Sequence, residues 1–244
     1  MKFVRWHNLA AAAMALLLAA TAAHAQQSKN WQWCVNEGHA FPVDDQIRGC
    51  TALIQSGKEN RQNTSIAYNN RGLAHYDKED YDRAIADFTQ AIRLDPKFGK
   101  AYDARANAYS DKGDHDRAIA DYNEAIKIDS ANPRAFNNRC DELLIIRQAQ
   151  AALADCNESL RLRPNHANTL MHRGNAYLVL GQLDRSIADY DAALRQNPKD
   201  AWALHGRGLA KTKQGDAAGG AADIAAAKEI NADMPAGFAK FGVK

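Results

Sequence analysis

The stretch that decides the fold is residues 68–96, YNNRGLAHYDKEDYDRAIADFTQAIRLDP. Two segments with apolar residues at helical spacing are separated there by a short polar turn. The heptapeptide DRAIADF at 82–88 recurs as DRAIADY at 116–122 and as DRSIADY at 184–190, offset by 34 and 102 residues. Because 102 is a multiple of 34, the chain repeats with a period of 34 residues, and such a period indicates a repeat array.

Five repeats fit this period without a gap, and each is predicted to form two antiparallel helices, A and B. We number the positions in each repeat as places 1 to 34. The small residues at places 8, 20 and 27 are typical of two closely packed helices. The predicted bounds are 65–98, 99–132, 133–166, 167–200 and 201–234, followed by a C-terminal tail at 235–244. The last repeat is the weakest, because Gly219 and Gly220 fall inside its helix B.

Period, helix pairs and small contact residues together resemble the tetratricopeptide repeat family. The resemblance implies an all-α fold, a right-handed superhelical solenoid of antiparallel helix pairs. It also implies that helices A line a concave groove, where members of the family commonly bind a peptide or a partner protein. Some members grip a C-terminal carboxylate with basic residues at set groove places. Asp103, Asn168 and His172 stand at those places here, so that particular function is not expected.

The four cysteines form two pairs with the same spacing. Cys140 and Cys156 occupy places 8 and 24 of their repeat, 16 residues apart, and Cys34 and Cys50 are also 16 apart. Giving the first pair the same places defines a degenerate first repeat at 27–60. We therefore predict the disulfides Cys34–Cys50 and Cys140–Cys156, each joining helix A to helix B. A zinc site is the alternative, although no Cys-x-x-Cys pair is present.

An Arg and an Asp recur at places 7 and 23 of every full repeat, whereas the degenerate repeat has Trp33 and Gly49 at these places. Their joint loss suggests direct contact, and five copies argue against a catalytic role. We predict a partly buried, two-pronged salt bridge between helices A and B in each repeat. The pairs are Arg71 and Asp87, Arg105 and Asp121, Arg139 and Asp155, Arg173 and Asp189, and Arg207 and Asp223.

The candidate partner-binding residues follow from the resemblance, which turns places 2, 5, 6, 9, 12 and 13 towards the groove. They are Asn69, Asn70, Tyr76, Asn107, Asn138, Asp141, Met171, His172, Asn175, Trp202 and His205. Met171 and Trp202 are candidate apolar anchors for an extended peptide or a partner helix. The alternative for nearby apolar residues such as Leu178 and Leu209 is that they pack against the next helix.

Residues 1–25 are typical of an export signal. Lys2 and Arg5 precede an apolar run at 9–20, and Ala-His-Ala at 23–25 fits a cleavage site after Ala25. An uncleaved membrane anchor is the alternative. Because all four cysteines follow this segment, we expect an exported protein, periplasmic or secreted, in a compartment where disulfides persist.

Charge and motifs narrow the function further. Lys and Arg total 31 against 29 for Asp and Glu, and Lys2 and Arg5 fall in the signal, so the remainder is balanced. This balance argues against nucleic-acid binding, and no later segment is long enough for membrane insertion. No phosphate loop, nucleophile elbow or zinc-protease motif appears, and we expect no catalytic residue, cofactor or metal. His172 and His205, with Asp141, are the alternative metal site.

The predicted function is therefore a protein-interaction scaffold or adaptor that binds its partner on the concave surface. The alternative is a structural envelope protein that assembles as a homo-oligomer.

Overall fold

The computed structural model describes residues 25–232. The predicted export signal, apart from Ala25, and the predicted tail at 235–244 lie outside the described residues. All regular secondary structure between residues 25 and 232 is helical, so the predicted all-α class is confirmed. No helix in this part of the chain combines the length and apolar character that crossing a membrane requires.

Twelve α-helices follow one another along the described residues. The first, α1, covers residues 25–35 and is followed by a 3-10 turn, Glu37–His39. The others are α2 Val43–Ser56, α3 Arg61–Asp77, α4 Tyr81–Leu94, α5 Gly99–Asp111, α6 His115–Ile128, α7 Pro133–Ile145, α8 Ala149–Leu162, α9 Ala167–Val179, α10 Leu183–Gln196, α11 Ala201–Gln214 and α12 Ala217–Ile230. From α3 onward, one helix pair falls in each predicted repeat. Helix α3 begins at Arg61, before place 1 of its repeat, because the Asn60 side chain accepts a hydrogen bond from Asn63 N and caps the extra turn.

The turn between helices A and B has the same backbone conformation in every repeat. Its residue at place 15 has a positive φ in all five copies, between 59° and 104°. Glycine, which has no Cβ to clash in this region, fills three of these places, whereas Glu79 and Arg147 fill the other two. Each turn then leads into helix B, and Asp80, Asp114 and Asp216 cap that helix as N-terminal acceptors.

The chain divides into two compact units, Met1–Ala108 and Tyr109–Lys244, and each has its own buried clusters within the described residues. In the first unit, buried Phe88 lies against Gly72 of the facing helix. A Cβ built on Gly72 would lie 2.7 Å from the Phe88 ring, which explains the small residue at place 8. A second cluster surrounds the buried Cys34 and Cys50 beside Leu53.

In the second unit, fully buried Tyr190 has the corresponding role. A Cβ on Gly174 would lie 2.9 Å from its ring, and a Cβ on Gly206 of the next helix A would lie 2.4 Å away. Tyr190 therefore packs against its own repeat and the following one. A neighbouring cluster is built around Cys140, Leu144 and Cys156. Cores of this kind recur along a solenoid because each repeat buries its apolar face against its neighbour.

Candidate functional site

Salt bridges join helices A and B in four repeats. Arg71 donates from Nε and Nη2 to the two carboxylate oxygens of Asp87, at 2.8 and 2.7 Å. The same two-pronged arrangement, with distances from 2.6 to 2.8 Å, holds the pairs Arg139–Asp155, Arg173–Asp189 and Arg207–Asp223. Arg105 and Asp121 belong to different units, so their pairing stays a prediction, although Asp121 is buried like its counterparts.

Each of the five Arg side chains also makes a contact that the sequence analysis missed. Its Nη1 donates to the side-chain oxygen at place 25 of the preceding repeat, at 2.7 to 3.1 Å. The acceptors are Thr51, Thr89, Asn123, Asn157 and Asp191. Where the Asp contact is also described, one guanidinium joins three helices. The signal was present in the sequence: place 25 is polar throughout except for Ala225, after which no further repeat follows in the described residues.

These contacts favour the charged forms. Hydrogen bonding to Asp87 raises the pKa of Arg71 above its ordinary value, and Asp189 does the same for Arg173. At the last repeat, burial opposes ionisation of Asp223, but hydrogen bonds from Arg207 and Lys211 hold its pKa below the ordinary range. The Arg–Asp contacts therefore favour the charged forms of Arg71, Arg173 and Asp223.

Both predicted cysteine pairs lie at bonding distance. Cys34 and Cys50 join α1 to α2 with an S–S distance of 2.05 Å, and Cys140 and Cys156 join α7 to α8 at 2.14 Å. All four side chains are fully buried. The bonds connect helix A to helix B in the degenerate repeat and in the third full repeat.

The eleven predicted partner-binding residues all lie on helices A, and eight of them are half-buried. Asn69, Asn175 and His205 are buried instead. Tyr190 donates its hydroxyl to Asn175 Oδ1 at 2.6 Å, and Asn175 is only 1% exposed. The structure thus gives Asn175 a packing role and removes it from the accessible surface, which corrects its assignment as a groove residue.

In the second unit, the half-buried candidates lie on three helices that contact one another in turn, α7, α9 and α11. His172 Nε2 is 3.8 Å from Asp141 Oδ1, which joins α9 to α7. Met171 and Trp202 each pack one side against the core and keep part of their surface open. Leu178 is buried, as the packing alternative for it predicted.

A buried polar cluster in the second unit was not anticipated. Place 10 is Ala in four repeats but Glu142 in the third, where it is 2% exposed. Ser110 Oγ donates to one of its oxygens at 2.5 Å, and His115 Nδ1 lies 2.8 Å from the other. In the sequence, the replacement of Ala by Glu at place 10 was the feature that could have indicated this cluster. Within residues 25–232, no three His, Cys, Asp or Glu side chains are arranged to hold a metal ion.

The comparisons with known proteins agree with this architecture. Tetratricopeptide repeat models match residues 65–98 and 88–120, and a related TPR repeat model matches 106–139 and 174–215. A search of curated proteins finds no significant match.

Several solved structures are similar. A tetratricopeptide repeat protein from Parabacteroides merdae has a TM-score of 0.70 at 17% identity, over 89% of this chain and 87% of its own. YrrB, described as a TPR protein with an unusual peptide-binding site, has a TM-score of 0.64 at 22% identity, over 77% and 94%. MamA from Desulfovibrio magneticus has a TM-score of 0.63 at 18% identity, over 69% and 96%. These structures share the fold of this chain, and the matched repeat models show that the chain belongs to the tetratricopeptide repeat family.

Proposed function

We propose that this protein is an exported scaffold that binds a peptide or a partner protein on the surface formed by its helices A. The fold suggests a protein-interaction scaffold, and tetratricopeptide repeat proteins are generally non-enzymatic. The observation that carries the finer proposal is the half-open surface of the second unit, where Met171 and Trp202 lie on contacting helices and Asn138, Asp141 and His172 lie on two of the same three helices.

This surface offers two kinds of contact to an extended peptide. Met171 and Trp202 supply apolar area, since each keeps part of its side chain open while its other side is held by the core. Asn138 and the His172–Asp141 pair supply polar groups close by. Peptide binding described for the structurally similar YrrB supports a peptide as the ligand class.

Export is the second part of the proposal. It rests on the signal-like segment at 1–25 and on two buried cysteine pairs at bonding distance, which persist in an oxidising compartment. Mass spectrometry of the protein from the producing cell tests this part directly. A mature N-terminus at Gln26 is expected, and a chain that retains Met1 contradicts cleavage.

A comparison of variants tests the binding surface. The double substitution Met171→Ala and His172→Ala removes an apolar and a polar contact, whereas Ala188→Glu changes an exposed residue on helix B of the same repeat. Pull-down from an envelope extract should recover fewer partners with the double variant and the same partners with the control. Equal recovery by wild type, double variant and control contradicts the proposal, provided that thermal unfolding shows all three folded.

Self-assembly is the second candidate, and one observation favours it. The last helix, α12, leaves Ile230 47% exposed and carries exposed Ala residues along its length. Exposed Lys228 and Glu229 on the same helix favour a solvated end instead. Light scattering over a concentration series separates the two readings, because a concentration-independent monomer rules out assembly through α12.

A further inference from the structure

A small polar pocket in the second unit lies between α7, α8 and the start of α9. Its volume is about 280 Å³. Arg134, Arg163 and His166 are among the residues that line it, and none of the lining residues is acidic. The pocket is thus surrounded by groups that carry or can acquire positive charge.

The repeat register shows that this charge is a departure from the pattern. Place 31 is Asp95 and Asp129 in the two preceding repeats, and each Asp accepts a hydrogen bond from the backbone N–H two residues further along. The third repeat has Arg163 there. The substitution removes the turn hydrogen bond and reverses the charge at the mouth of the pocket.

Arg163 forms no ion pair within the described residues, in contrast to Arg161. Arg161, two residues earlier on α8, forms a two-pronged pair with Glu158 at 2.7 and 2.8 Å. Arg163 is exposed, and no carboxylate in the described part of the chain pairs with its side chain. Burial lowers the pKa of His166, and the charges of Arg163 and His172 lower it further, as expected in a positive local field.

Several polar side chains in the wall of the pocket are hydrogen-bonded to one another. Thr169 Oγ1 donates to Asn137 Oδ1 at 2.8 Å, so it must accept from His166 Nδ1, 2.9 Å away. Asn137 in turn donates to Asn138 Oδ1 at 3.2 Å, and Ser159 donates to the Pro133 carbonyl at 2.9 Å. The amide oxygens of Asn137 and Asn138 thus each accept a hydrogen bond within the wall, whereas the guanidinium groups of Arg134 and Arg163 can only donate.

We propose that this pocket binds a single oxyanion group, a carboxylate, sulfate or phosphate, with Arg163 and Arg134 as its charged donors. A guanidinium fork suits the planar or tetrahedral oxygens of such a group. By the repeat register, Arg134, Asn137, Asn138 and Asn168 occupy groove places 2, 5 and 6, so the pocket extends the proposed partner surface. Sulfate titration tests the pocket without a protein partner, so its outcome is distinguishable from that of the partner-binding experiments.

Titration of the full chain with sodium sulfate tests the site, with sodium chloride at matched ionic strength as the reference. Backbone amide signals around Arg163 and His166 should shift and saturate with sulfate only. Arg163→Gln should weaken binding about tenfold or more, because a charge-assisted hydrogen bond is lost. Arg161→Gln, the matched control, should change the dissociation constant less than about twofold. Shifts no larger than those with chloride, or equal weakening by both variants, overturn the proposal.

A second variant distinguishes loss of sulfate binding from loss of folding. Arg163→Asp introduces the residue of the two preceding repeats at this exposed position and reverses its charge, so it should abolish sulfate binding while thermal unfolding shows the protein folded. Retained sulfate binding by this variant refutes the assignment.

Competition identifies the source of the group. A short peptide with a free carboxylate is compared with its amide, and inorganic phosphate is tested beside them. Displacement of sulfate by the free carboxylate but not by the amide supports a peptide terminus as the source, and displacement by phosphate alone supports a phosphoryl group. Failure of both anions to displace sulfate contradicts a carboxylate or a phosphoryl group as the ligand.

Discussion

At the scale of single residues, the Arg at place 7 of four repeats joins the two helices of its own repeat to the preceding repeat. Arg173, for example, holds Asp189 of its own helix pair through two hydrogen bonds and Asn157 of the preceding repeat through a third. The carboxylate is buried, so the pair is shielded from water. Removing one partner leaves the other charge buried without compensation, and that is more costly than losing an exposed ion pair.

The first prediction concerns the difference in cost between breaking a buried ion pair and removing an exposed charge. Asp155→Ala should lower the free energy of unfolding by about 3 kcal/mol, because Arg139 then remains partly buried with its main partner removed. Asp116→Ala, at an exposed position, should change it by less than about 1 kcal/mol. Urea unfolding of both variants and wild type provides the measurement. Equal losses contradict the structural role of the pair.

The second prediction is a pH dependence at Asp223. Its folded pKa is lowered, so the ionised form stabilises the protein above the unfolded pKa of about 4, and this stability is lost as the pH falls through the folded value. Asp223→Asn should therefore be less stable than wild type at pH 7, and the difference should shrink towards pH 3. Urea unfolding at several pH values measures it. A pH-independent difference counts against the assigned cause.

Residue-level prediction from the sequence succeeded where a pattern recurred and failed where one position departed from it. The Arg–Asp pairs were predictable because both residues recur in all five full repeats and are replaced together in the degenerate repeat. Asn175 was placed in the groove because the family resemblance turns place 9 there, yet it is buried, whereas the place-9 candidates Asn107 and Asp141 are half-buried. Tyr190 at place 24 donates its hydroxyl to Asn175, whereas Cys156 at that place in the third repeat forms a disulfide. A periodic rule assigns one environment to each place and cannot express such differences.

At the scale of helices and turns, the 34-residue period predicts the helix pairs. It predicts the conformation of the turn residue at place 15 only in part. All five copies adopt a positive φ, but Gly113, Gly181 and Gly215 fit this conformation better than Glu79 and Arg147 do. The sequence indicated the three glycine turns. It did not show that the other two turns take the same shape, because their conformation is imposed by the helices that they connect.

The third prediction follows from these turns. Arg147→Gly should stabilise the protein by about 0.5–1 kcal/mol, because it relieves an unfavourable backbone conformation. Gly181→Ala, the reciprocal change at the same place of the next repeat, should destabilise it. Thermal unfolding of the two variants compares the signs. A stability loss with Arg147→Gly contradicts the assigned turn conformation.

At the scale of the whole molecule, a disulfide stabilises the degenerate repeat, in which the recurrent Arg–Asp pair of the full repeats is missing. The 27–60 segment lacks the Arg–Asp pair, and its helices α1 and α2 are held by the Cys34–Cys50 bond and a small cluster that includes Leu53. The order of repeats and both cysteine pairings followed from the sequence. The pocket beside Arg163 did not, because it depends on how three helix ends meet.

The fourth prediction concerns reduction. Each bond closes a loop with a sequence separation of 16 residues, for which the chain-entropy model gives about 3 kcal/mol. Reduction should lower the midpoint of urea unfolding, and the Cys34→Ala, Cys50→Ala double variant should lose only part of that stability because Cys140–Cys156 remains. An unchanged midpoint after complete reduction contradicts the account.

The central claim is that the helix-A surface of the second unit engages a protein partner. Site-specific photo-crosslinking in the producing cell tests it most directly, with the photoreactive residue at position 171 or 172 and, as control, at exposed position 188 on helix B. We predict a discrete crosslinked species from positions 171 and 172 and none from position 188. Identical patterns from all three positions, or no crosslinked species from positions 171 and 172, would contradict the claim.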